Sequence, residues 1–143
     1  MFPVDLAQAL GWACLALTCV VATWRGAWPE KLGASLAVAA WVASVLVEQR
    51  RNWLEPQVAV FVVDAILLAA LAALALWSRR YWAIWAAGFQ AIGVLTHVLF
   101  LINPAALYRA YYMSSFSIAF LVLGAIVAGV IFERSKPPAV SRR

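Results

Sequence analysis

The sequence predicts an all-α integral membrane protein, a bundle of about five transmembrane helices joined by short loops. Three observations carry that expectation. Hydrophobic residues make up 66% of the 143 and charged residues 12%, whereas a soluble domain is roughly half apolar and about a quarter charged. The apolar residues gather into five runs, each close to the roughly 20 residues that a spanning helix needs. The charged residues sit between those runs, which leaves almost no chain for a domain outside the bilayer. Residues 1–133 therefore read as one helical bundle and 134–143 as a basic, disordered tail.

The first helix is expected over residues 6–24. It follows Met1-Phe2-Pro3-Val4-Asp5, which has no cationic leader of the secretory kind, so it should stay in place as a helix. Arg25, Gly26, Pro29, Glu30 and Lys31 are expected to end both the helix and its burial. The second helix, 32–47, is short but apolar throughout; were it not to cross, the bundle would have four spans. After Glu48 and the basic Arg50-Arg51, the Glu55-Pro56 step suits a helix start. The third helix follows over 57–77, interrupted only by Asp64. Ser78-Arg79-Arg80 turns the chain into the fourth, 81–102, which Asn103-Pro104 breaks, and the fifth runs over 110–132.

Lys and Arg retained on the cytoplasmic side set the orientation of such a bundle. Arg25, Lys31, Arg79, Arg80, Arg134, Lys136, Arg142 and Arg143 fall on one side; Arg50, Arg51 and Arg109 fall on the other. Eight against three of the eleven predicts an outer N-terminus and a cytoplasmic C-terminus, in a bacterial inner membrane. Trp and Tyr collect at headgroup level: Trp24, Trp28, Trp77, Tyr81 and Trp82 would form the inner belt, and Trp53, Tyr108, Tyr111 and Tyr112 the outer one. The net charge of +5 thus belongs to topology, and nucleic acid is not an expected partner.

Small residues at helical spacing mark faces where backbones approach closely. Gly33, Ala37, Ala40 and Ser44 form such a stripe on the second helix. Ala125 and Gly129, with Gly124 and Ala128 alongside, do so on the fifth. These faces serve packing within the bundle or between copies.

Chemistry-bearing residues are few. Cys14 and Cys19 lie about 140° apart around a helix and read as small buried hydrophobes rather than a redox pair. One histidine and two separated cysteines cannot build a four-ligand zinc site. A haem would have only His97, so neither metal nor cofactor is expected. Nucleophile, P-loop and metalloprotease patterns are absent, and no enzyme activity is expected.

Asp64 stands alone in its run, where a carboxylate at mid-membrane costs about 2.5–3.5 kcal/mol on insertion scales. At 1.5 Å per residue it lies about 10 Å below the outer surface, and His97 about 8 Å below it on the antiparallel fourth helix. Gln90 shares the His97 face. Ser114, Ser115 and Ser117 arrive at similar depth on the fifth helix, with Thr96, Tyr111 and Glu48 nearby. The expected polar cluster therefore occupies the outer third of the bundle, and the inner third should be mostly apolar.

Two functions follow as expectations. The first is a non-enzymatic subunit, or a self-associating component of a membrane complex, held in the lipid bilayer as a homo-oligomer or within a larger assembly. The alternative is a transporter or channel for protons or a small solute, using an outward-facing pocket around Asp64 and His97. Beyond Gln90 the fourth helix offers only Ala, Gly and aromatics, which interrupts a polar route.

Overall fold

The computed structural model describes residues 4–47, 58–102 and 104–133, and every described residue within an element is helical. Five helices follow in order: α1 (Val4–Arg25), α2 (Trp28–Val47), α3 (Val58–Ser78), α4 (Tyr81–Ile102) and α5 (Pro104–Glu133). Each packs against its neighbours in the chain, α1 also packs against α5, and α2 reaches α5 across the bundle. The helices thus close into a ring. Among the described residues four segments are long and apolar enough to cross a membrane, namely α2, α3, α4 and Ser114–Phe132 of α5. The 22-residue α1 lies between α2 and α5.

The outside of the ring is greasier than water tolerates. Leu76 is 83% and Trp77 80% exposed, and long apolar side chains are exposed on every helix. A soluble monomer rarely shows contiguous apolar patches of that extent, so the exposed faces are those that lipid covers. The buried set joins large apolar side chains such as Leu71 and Ile126 to small and polar positions. On α4 the buried face is Trp82, Ala86, Gln90, Gly93, His97 and Phe100, spaced by three and four residues as one helical stripe.

Two helix starts differ from the sequence expectation by more than two residues. α2 begins at Trp28 rather than residue 32, so Pro29, Glu30 and Lys31 belong to its first turn, with Pro29 and Glu30 buried. The reason is a cap: Glu30 Oε2 accepts the Ala27 backbone N–H at 2.8 Å, the half of a capping box in which the third helical residue reaches back to the residue before the helix. Pro29 costs nothing in so early a position, where backbone N–H groups have no helical partner anyway. α5 begins at Pro104 rather than residue 110, with proline as the first helical residue. At 30 residues it is about 45 Å long and exceeds the roughly 30 Å hydrocarbon core.

The turns are tight. Gly26 N donates to Ala22 O at 2.9 Å to close α1. Arg79 closes α3 with a left-handed backbone, φ 53°, and donates to Ala75 O at 3.1 Å. Trp28 and Trp77 meet edge to face at 5.9 Å, which brings the α1–α2 and α3–α4 turns to one end of the bundle. Arg25, Lys31, Arg79 and Arg80 therefore share that end. Residues 48–57 and the tail 134–143 lie outside the described residues.

Candidate functional site

Asp64 sits six residues into α3, about 9 Å from its start, and His97 five residues before the end of α4, about 8 Å from it. The antiparallel hairpin brings them level. Asp64 Oδ2 lies 2.8 Å from His97 Nε2, and one proton between those atoms binds them whichever side holds it. Gln90 donates from Nε2 to Asp64 Oδ1 at 3.0 Å and to the Asp64 backbone carbonyl at 3.3 Å. Gln90 and His97, two turns apart on α4, thus grip both oxygens of one carboxylate. Phe61, one turn before Asp64, places its ring 5.9 Å from the imidazole.

The grip is buried on one side. Gln90 and His97 are each 5% exposed, whereas the Asp64 side chain is 26% exposed. The neighbouring α5 approaches α4 closely at this level, because a Cβ on Gly93 would meet Ile118 at 3.2 Å. Four residues further along α4 is His97, and four residues back along α5 is Ser114, so the register sets them opposite one another. Ser114 and Ser115 are half-buried, while Ser117 is exposed. Thr96 donates its hydroxyl to Gly93 O at 2.7 Å and so serves its own helix. Glu48 lies outside the described residues, as does the side chain of Tyr111 on α5.

A second polar site lies at the opposite end of the same α4 face, where an apolar inner third was expected. Glu30 is 2% exposed, and its Oε1 accepts the Trp82 indole N–H at 2.8 Å. Trp82 is 5% exposed and belongs to the core rather than to the interfacial belt. Its ring fits between α2 and α5 because both present glycine: a Cβ on Gly33 would come within 2.6 Å of the ring, and one on Gly129 would overlap it. The sequence carried only a faint signal for this site. Glu30 stands three residues after Ala27, the capping-box spacing without its usual Ser or Thr, and Trp82 stands eight residues before Gln90, about 80° from it around the helix.

The small-residue faces divide. Gly33, Ala37, Ala125 and Gly129 are buried, and Ala40, Ser44 and Ala128 are half-buried. Gly124 instead faces outward with open space where a Cβ would stand. One residue's step turns a helix by about 100°, and that step separates Gly124 from the buried Ala125. Cys14 and Cys19 are free thiols, both half-buried.

Chemically, Asp64 and His97 can hold or exchange one proton, and the Gln90 amide orients the carboxylate for it. Among the described residues no three of His, Cys, Asp and Glu come together as a metal would require. Between the two polar sites, Leu71, Ala83, Ala86 and Ile126 are all 0% exposed. Set against protein-family models, curated proteins and solved structures, the chain finds no match.

Proposed function

We propose that this chain is a non-enzymatic subunit of a membrane assembly, self-associating or packed against a larger complex. In this reading it sits in a bacterial inner membrane with its N-terminus outside and its C-terminus in the cytoplasm. The supporting observation is Asp64. Both of its oxygens are engaged by α4, yet 26% of the side chain remains exposed. Exposure of an acidic side chain at this depth is costly, and a second chain packed beside Asp64 on α3 would remove that cost. Cross-linking in the native membrane tests the proposal, with Leu68→Cys, half-buried one turn beyond Asp64 on the same α3 face, and both native cysteines replaced by alanine. The expected result is a covalent dimer or a defined hetero-adduct, together with a matching mass in mild detergent. A chain that migrates alone and never cross-links there would sink the reading.

A second reading, proton or small-solute transport, draws on the two carboxylates facing α4 from opposite ends. About 12 Å separates Gln90 from Trp82 along the helix, and the closed Ala83, Ala86, Leu71 and Ile126 fill that interval. Proteoliposomes with a trapped pH dye decide between the readings: transport requires a flux that Asp64→Asn abolishes while the bundle stays folded.

A further inference from the structure

We propose that the cleft on the lipid-facing side between α1 and α2 binds the phosphate headgroup of an anionic phospholipid, with one acyl chain lying along the cleft floor. The cleft has a volume of about 260 Å³ and opens to the outside of the bundle between Thr23 and Lys31 at one end and Val38 and Ala39 further along α2. Its floor is low because Ala34 and Ala39 carry only methyl groups. Cys19, Ala34, Val38 and Ala39 line it with apolar surface, which suits a hydrocarbon chain.

The charge at its mouth is uncompensated. Lys31 is exposed and has no carboxylate partner among the described residues. Its neighbour Glu30 turns both oxygens inward, to Trp82 and to the Ala27 N–H. The two hydroxyls of the cleft are donors already in use: Thr23 bonds Cys19 O at 2.7 Å and Ser35 bonds Lys31 O at 2.9 Å. Recognition of a phosphate therefore rests on the Lys31 ammonium alone. Location agrees with chemistry, since Arg25, Arg79 and Arg80 share this end with the exposed Trp24, Trp28 and Trp77, the composition of a headgroup level. A basic residue near an anionic leaflet is worth about 1 kcal/mol, or about a fivefold preference.

Native mass spectrometry of the full chain tests this, with phosphatidylglycerol and phosphatidylcholine of matched acyl chains as probes. One phosphatidylglycerol should be retained per chain, about fivefold over phosphatidylcholine. Lys31→Gln should erase the preference while leaving acyl binding, Thr23→Val should change nothing, and Ala39→Trp should expel both lipids by filling the cleft. Helical content and melting of each variant, followed by circular dichroism, separate lost binding from lost folding. Equal retention of the two lipids by the unmodified chain would overturn the proposal. So would a preference that survives Lys31→Gln, or an Ala39→Trp variant that changes oligomeric mass instead of lipid retention.

Discussion

Replacing Asp64 by alanine tests the clamp between α3 and α4 most directly. The change removes the oxygen facing His97 Nε2 and one of the two acceptors of Gln90 Nε2, while the residue-64 carbonyl 3.3 Å from Gln90 survives. Both α4 side chains are 5% exposed, so water cannot take over the lost contacts in place. A buried polar group deprived of its bond costs about 1–3 kcal/mol, and intramembrane hydrogen bonds measured by double-mutant cycles average about 0.6 and reach about 1.7 kcal/mol. Asp64→Ala should therefore destabilise the bundle by about 1–3 kcal/mol. Asp64→Asn should lose less than about 1 kcal/mol, because its oxygen accepts from Gln90 and its amide donates to His97 in the other tautomer. The assay is reversible unfolding in mixed micelles, followed through the fluorescence of the eight tryptophans. Paired with His97→Ala, the cycle should show coupling of about 0.5–1.7 kcal/mol. If asparagine is as damaging as alanine, or the two single effects add within about 0.3 kcal/mol, the clamp as described does not hold the helices.

Three further outcomes follow from the same contacts. Trp82→Phe keeps an aromatic ring between Gly33 and Gly129 but leaves buried Glu30 Oε1 without its donor, and should cost about 1.5–3 kcal/mol in the same unfolding assay. Gly129→Ala should destabilise by forcing a methyl into the Trp82 ring, whereas Gly124→Ala, facing open space, should gain about 0.4–1 kcal/mol from a stiffer unfolded chain; equal effects of the two would contradict the helix orientation. Reporter fusions after Arg143 and within residues 48–55 should read opposite compartments, cytoplasmic for the first, and agreement between them would mean that an odd number of crossings does not separate these sites.

What the sequence reveals about this bundle depends on the kind of force that places each residue. Asp64, Gln90 and His97 were legible because a rise of 1.5 Å per residue and a tight turn determine depth, and an intramembrane carboxylate must find a partner. Glu30 was not, because charge beside proline in a membrane chain looks like a loop, and only the cap to Ala27 and the bond to Trp82 bring it inside. Trp82 was misplaced for a related reason: its distance from the helix end suits a headgroup belt, but rotation about α4 decides whether it faces lipid or core. Helices that are apolar on all sides carry little hydrophobic information about rotation. In this bundle that information resides in the exceptions. The α4 stripe of Trp82, Gln90, Gly93 and His97 turns inward because each has a complement there, namely Glu30, Asp64, Ile118 and Asp64 again. Packing orientation is thus set by a few polar and small residues spread over three neighbouring helices. Swapping apolar residues on the lipid face should shift stability far less than changing any one of these four.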